Sequence, residues 1–258
     1  MSAPRILLTN DDGIESVGFR ALYDALSAFA DVTAVAPAAD KSAVGRAMSN
    51  EVAVREHELG YAIEGTPADC TVVGLESLCP DVDMVVAGCN KGANLGAYVL
   101  GRSGTVSAAV EAAFFDVPAI AVSLYVPLGD DDWRDRATDS EDYRDAARAT
   151  AYLVENAPGA GVFDRAEYLN VNAPLPGDDP APMEITTPST LYDMRAESNG
   201  ETVRLHDYVW ERMRDGDIPD PEGTDRRAIV DGKISVSPLT APHTTEHHEA
   251  LDALAETY

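Results

Sequence analysis

The chain has 258 residues, is 45% hydrophobic and carries 45 acidic against 19 basic residues, a formal charge of −26. It is long enough to bury a large core, and a field of that sign repels nucleic-acid backbones and anionic membrane surfaces, so neither a nucleic-acid duplex nor a membrane is an expected partner. Lys occurs only at 41, 91 and 233; self-repulsion on this scale is tolerable where salt shortens the Debye length to about 3 Å at 1 M, which points to a halophilic, salt-rich cytoplasm.

Arg5 to Thr9 reads as a strand covered on both faces, and it runs directly into Asn10-Asp11-Asp12-Gly13. In an open α/β sheet, ligands sit beyond the carboxyl ends of strands, so this Asp-Asp pair falls where chemistry is done, whereas elsewhere in so acidic a chain it would read as a solvated turn. Two adjacent carboxylates repel, and a divalent cation is the simplest way to keep both ionised. A helix over Phe19 to Phe29 leads to a second strand, Asp31 to Ala36. Glu51 to Glu58 and Tyr61 to Glu64 suggest a hairpin about Gly60, and Pro67 opens a helix reaching about Leu78.

Asp83 to Ala87 is the next buried strand, and the loop after it, Gly88-Cys-Asn-Lys-Gly-Ala-Asn-Leu-Gly96, has glycines four apart. That spacing is neither the dinucleotide fingerprint nor a phosphate-binding Walker loop; it offers close backbone approach and the amides Asn90 and Asn94. Arg102-Ser-Gly-Thr105 opens a small-residue helix running to Phe115, whose N-terminal amides and hydroxyls suit a phosphate dianion, although Ser103 alone reads as an ordinary N-cap. Strands at Ala119 to Leu124 and Glu167 to Ala173 flank an acidic loop, residues 129 to 142, and a helix ending near Asn156. The expected fold class is α/β, a Rossmann-like, mainly parallel sheet flanked by helices over residues 1–175. Segments at 184 to 187, 202 to 210 and 228 to 237 predict β-hairpins in an extension over 176–243, followed by a C-terminal helix over 244–258, all within one domain.

Cys70, Cys79 and Cys89 form no Cys-x-x-Cys pair and read as reduced core residues. The first strand begins so early that it leaves no room for a signal peptide, and no apolar run is long enough to span a bilayer, so a cytoplasmic location is expected.

Several segments together resemble the SurE family of survival-protein phosphatases: Leu8-Thr-Asn-Asp-Asp-Gly-Ile14, Val35-Ala-Pro37 followed by Lys41-Ser42, Gly65-Thr-Pro-Ala-Asp-Cys70, Val85 to Gly96, and Ser103-Gly-Thr-Val-Ser-Ala-Ala-Val-Glu111. They occur in the family's order, and Thr224 to Leu239 is similar to its late segment. The resemblance implies a metal-dependent phosphatase of nucleoside 5′- or 3′-monophosphates, with hairpins that exchange between subunits of a homodimer or homotetramer. It implies Asp11, Asp12, Ser42 and Asn90 as ligands of one Mg²⁺ or Mn²⁺ per subunit, with Asp11 or Asp12 orienting the attacking water, and Ser103, Gly104 and Thr105, helped by Asn94, as holders of the phosphoryl oxygens. Two carboxylates, a hydroxyl and an amide oxygen are also the hard, all-oxygen set such cations take.

The chain departs from that pattern at Ser16-Val17, at Arg46 where an Asn is expected, and at Arg102 where a Tyr is expected. Each arginine could favour a more highly charged substrate or form a structural ion pair. His243 and His247 stand one helical turn apart but lack the carboxylate support a transition-metal site needs. Trp133 and Trp210 read as packing anchors, although either could border the substrate base, and for Trp210 an intersubunit contact is favoured over the active site. The rival of another class is a non-catalytic nucleotide or phosphate sensor on the same fold. A phospho-accepting receiver would need a third strand-end Asp and a later Lys, and a haloacid-dehalogenase-like phosphatase would need Asp-x-Asp; the chain supplies neither pattern.

Overall fold

The structure, a computed structural model, describes residues 3–127, 136–241, 243 and 249–257. Trp133, His247 and His248 lie outside them. Eleven strands are formed among the described residues: β1 (Arg5–Thr9), β2 (Asp31–Pro37), β3 (Val54–His57), β4 (Gly60–Ile63), β5 (Met84–Lys91), β6 (Ala119–Leu124), β7 (Tyr168–Ala173), β8 (Met183–Ile185), β9 (Met194–Ser198), β10 (Val203–Asp207) and β11 (Ile234–Leu239). Nine make one sheet in the order β3-β4-β2-β1-β5-β6-β7-β11-β8, parallel except where β3 meets β4 and β11 meets β7.

The helices are α1 (Val17–Ser27), α2 (Pro67–Val73), α3 (Ala97–Leu100), α4 (Gly104–Phe114), α5 (Arg144–Asn156), α6 (Val209–Asp215), α7 (Asp225–Val230) and α8 (Glu249–Thr257). Pleating sends alternate strand residues to opposite faces. Ile6 and Leu8 of β1 join Phe19, Leu22 and Leu26 of α1 and Leu153 of α5 in one core, while Leu7 joins Cys70 of α2 and Val106, Ala109 and Ala112 of α4 in the other. The central strands are thus covered on both faces, as their unbroken apolar runs require. Cys70 and Cys89 are buried and Cys79 is half-buried, and all three are free thiols.

Two of the late segments are not the hairpins their alternation suggested. Residues 228–237 hold the end of α7 and the start of β11, and β8 pairs parallel to β11, so both regions complete the main sheet. Only β9 and β10 make a separate antiparallel arm. Residues 202–210 do not continue as a strand either: β10 ends at Asp207, and α6 begins two residues later with Trp210 in its first turn. No helix among the described residues is long and apolar enough to cross a membrane.

Candidate functional site

β1 lies between β2 and β5, so consecutive crossovers leave it on opposite sides and a crevice opens beyond its carboxyl end. Asn10-Asp11-Asp12-Gly13 turns there. Asn10 Nδ2 donates to the Gly13 carbonyl at 2.9 Å and to Ser16 Oγ at 3.0 Å, closing the turn before α1. At the position of the Ser16-Val17 departure, the serine therefore helps fix the Asp pair.

Asp11 is buried and faces the N-terminus of α4. Thr105 Oγ1 donates to Asp11 Oδ1, and a Cβ added at Gly104 would come within 2.8 Å of Asp11 Cβ and Oδ2, so only glycine permits this approach. Asp12 accepts the Lys91 backbone N–H at Oδ2, 2.7 Å away, which ties the first strand's loop to β5. Burial pushes both carboxyls up, Asp12 to about 7 with Asp11 as the next contribution, and Asp11 despite the Thr105 hydrogen bond, which pulls the other way. Two neighbouring acids raised in this way are a site short of positive charge, which an oxygen-seeking divalent cation would supply.

Ser42 and Asn90 line the same cleft as Asp11. Ser42 is held by Asp40, whose Oδ1 accepts from the Ser42 hydroxyl at 2.6 Å and its backbone N–H at 2.7 Å. Asn90 donates its amide nitrogen to the Gly92 carbonyl, which leaves the side-chain oxygen for a cation. Three of the four expected ligands, Asp11, Ser42 and Asn90, thus line one cleft, with Asp12 next to Asp11 in the chain and held against β5, and the hard oxygen donors of the set fit Mg²⁺ or Mn²⁺. Among the described residues no three His, Cys, Asp or Glu side chains gather as a metal cluster, as expected of a set that is half hydroxyl and amide. His243, the described member of the His pair, is exposed.

The phosphate candidates separate by role. Ser103 caps α4, its Oγ accepting the Val106 N–H at 3.0 Å, and it lines the cleft. Thr105 is fully buried with its hydroxyl turned to Asp11. Asn94 lines the cleft, but its Nδ2 donates to Ser123 Oγ at 2.9 Å, its backbone N–H to Asn172 Oδ1 at 2.8 Å, and its carbonyl accepts from Asn170 Nδ2 at 2.8 Å. Asn94 braces the loop, and Asn170 and Asn172 form the bed it rests on.

Those two asparagines escaped the sequence reading because Tyr168 to Ala173 resembles any buried strand with two polar interruptions. Asp225 and Arg226 were missed too. The Asp225 carboxylate accepts the Gly96 N–H at 2.6 Å and the Ser189 N–H at 2.9 Å, and the buried Arg226 donates to the Leu191 carbonyl at 2.9 Å. Gly96 has φ +86 and lies against that guanidinium, where an added Cβ would be 2.1 Å from Nη2. Asp40, which holds Ser42 and raises both site carboxyls, was missed as well.

The cleft has a volume of about 340 Å³. Beyond the acidic end it is walled by Tyr98, Val99, Tyr125, Val126, Met194 and Trp210. Trp210 therefore lines the cleft, the substrate-bordering position and the weaker of its two expected places. The two departing arginines differ as well. Arg46 donates to the buried Glu111 and lies over Phe114, 4.7 Å from the ring centroid, so it is a structural ion pair. Arg102 lines the cleft.

The motif at 65–70 has a structural task. Thr66 and Asp69 make a capping box at α2, and Asp69 also accepts from the Ser49 backbone and hydroxyl.

The profile of a family described as "Survival protein SurE" matches residues 6–194. Relatives named "5'-nucleotidase SurE" are 68% identical in Haloarcula marismortui, covering 100% of this chain and 96% of the relative, and 66% identical in Haloquadratum walsbyi, covering 98% and 96%. A crystal structure of the SurE protein from Aquifex aeolicus is similar over 98% of this chain and 99% of its own, with a TM-score of 0.79 at 28% identity. The haloarchaeal relatives agree with what the charge balance implied about a saline setting.

Proposed function

The chain belongs to the SurE family, and from that premise we propose that it is a cytoplasmic, metal-dependent nucleotidase, hydrolysing the phosphomonoester of nucleoside 5′- or 3′-monophosphates. The observation that carries the reading is the Asp11-Asp12 pair at the sheet's switch point, one carboxylate against the N-terminus of α4 and the other against β5. A sensor would need the anion seat but has no use for two buried carboxyls raised by their burial.

Asp11, Asp12, Ser42 and Asn90 would hold one Mg²⁺ or Mn²⁺, which when bound neutralises phosphate charge and acidifies a water. The N-terminus of α4 and the Ser103 hydroxyl hold the phosphoryl oxygens, because the Gly104 and Thr105 amides have no carbonyl partner within the helix, while Ser103 caps the Val106 amide. Thr105 keeps Asp11 in one orientation. Asp12 already accepts Lys91 N–H at Oδ2, so Oδ1 is the atom that accepts a proton from the attacking water and aligns it with the phosphorus. The aromatic end of the cleft, Tyr98, Tyr125 and Trp210, receives the nucleoside and excludes solvent from the phosphate.

The test is a panel of nucleoside 5′- and 3′-monophosphates in molar KCl with Mg²⁺ or Mn²⁺, run beside Asp12→Asn. The variant should keep the wild-type melting curve and lose at least about 100-fold in kcat, the scale on which removal of one preorganised electrostatic group acts. Nucleotide hydrolysis that persists after exhaustive chelation would sink the metal mechanism, and binding without turnover on every nucleotide would favour the sensor.

A further inference from the structure

Among the described residues, Arg102 is the only cationic side chain lining the cleft, whose other charged lining groups are Asp11 and Asp207. Among the described residues it pairs with no carboxylate, unlike Arg46, which Glu111 neutralises. In a chain of charge −26, an exposed arginine with no acid partner is out of keeping with its surroundings.

Its position is set by Tyr98. The Arg102 backbone N–H bonds to the Val99 carbonyl at 2.8 Å, and its guanidinium carbon stands 5.2 Å from the Tyr98 ring centroid. That ring is itself fixed: its hydroxyl donates to Asp207, and Tyr192 meets it edge-on at 4.9 Å. Asp207 accepts that hydroxyl and the Val209 N–H at 3.2 Å, so its oxygens are turned to these donors. The guanidinium is therefore drawn from the N-terminus of α4, next to its own backbone, toward the aromatic wall.

We propose that Arg102 is a specificity residue for a second anionic group on the substrate, and that the cleft favours a nucleoside 3′,5′-bisphosphate over the corresponding monophosphate. The inference rests on the nucleotidase reading. The scissile phosphate takes the helix terminus, the nucleoside lies along Tyr98 and Trp210, and the remaining phosphate of the ribose meets the guanidinium between them. A planar guanidinium suits such a dianion, with two parallel N–H donors. Direct contact is also what retains selectivity in molar salt, where longer-range attraction is screened. Hydrolysis breaks one P–O ester bond, consumes one water and releases inorganic phosphate and a nucleoside monophosphate that keeps the second phosphate.

The experiment compares kcat/KM for a nucleoside 3′,5′-bisphosphate and the same nucleoside's 5′-monophosphate, in molar KCl, for wild type, Arg102→Gln and Arg102→Lys. Wild type should prefer the bisphosphate by about tenfold, the equivalent of one good charged contact. Arg102→Gln should bring that ratio close to one through KM, and Arg102→Lys should keep part of it. A wild-type ratio near one, or a ratio that Arg102→Gln leaves unchanged because both substrates suffer alike, overturns the proposal while the nucleotidase reading stands. Failure of wild type to hydrolyse either substrate would remove that reading, and this inference with it.

Discussion

Thr105 Oγ1 donates a hydrogen bond to Asp11 Oδ1, joining two buried residues 94 positions apart in the chain. The bond couples the carboxylate that ends the first strand to the helix that seats the phosphate, so the two halves of the site cannot drift apart independently. Thr105→Val keeps the side chain's shape and removes the donor. It should lower metal affinity or kcat by roughly 10- to 100-fold, the range seen when groups that orient metal ligands are lost. Metal titrations and turnover at saturating metal check this; wild-type values in both would mean that Gly104 and the helix backbone alone orient Asp11.

Stability should depend on pH through the Asp pair. Asp12 titrates near 7 in the folded chain against an ordinary value of 3.8, and Asp11 is also raised. Between those values the folded state holds more protons than the unfolded one, so the metal-free protein loses stability as pH rises through that window and then levels off. Carboxyls held low by hydrogen bonds, such as Asp69 and Asp83, act below it and in the opposite sense. Metal-free melts should therefore fall between about pH 4 and about pH 7 and level off above, while the stabilisation by saturating Mg²⁺ grows over the same interval. A Mg²⁺ effect independent of pH would mean that these carboxyls do not take the cation.

Salt should act on the whole surface. With 45 acidic residues and a charge of −26, the folded chain repels itself at low ionic strength, and screening relieves this. Melting temperature should rise steeply as KCl goes from low to molar concentration. Melts that do not move with KCl would separate the acidic composition from any saline adaptation.

Assembly should follow from the arm. β9 and β10 form a two-stranded sheet on their own, with Val203 and Leu205 exposed, and isolated hairpins of this kind are marginal. Packing against the same arm of a second copy would cover both edges. Light scattering coupled to size exclusion in molar salt should report a dimer or tetramer; a fully active species of 27.4 kDa would show that no partner copy is needed.

The strands and helices nearest the site were legible because each carries a local cause. β1, β5, β6 and β7 are short apolar runs, α2 starts at a proline behind a capping threonine, and α4 starts at a capping serine. The Asp-Asp turn could be placed at a strand end for the same reason, and Arg5 to Thr9 is observed as a strand with those bounds. Asn90, expected in the loop after Ala87, instead lies within β5, which runs on to Lys91 past an irregularity in its pairing with β6. Residues 228–237 misled because alternation reports a half-buried surface without saying which neighbour covers it; the chain spends part of that span on α7 and lays the rest against β7.

What local pattern could not carry is everything that depends on which distant residues meet. Asp225 reaches Gly96 across 129 positions, and Asn172 reaches Asn94 across 78. The two arginines looked equivalent in the sequence, each a cation beside a site motif. Tertiary packing separated them, because Glu111 on α4 lies within reach of Arg46, whereas the fixed ring of Tyr98 holds Arg102 over the cleft. The chemistry available at the strand ends can be read along the chain, since residue type and strand position are local properties. Which of those groups face one another, and which charges remain unneutralised, was decided only by the fold, because hydrogen bonds and ion pairs act over a few ångströms of space whatever the separation along the chain.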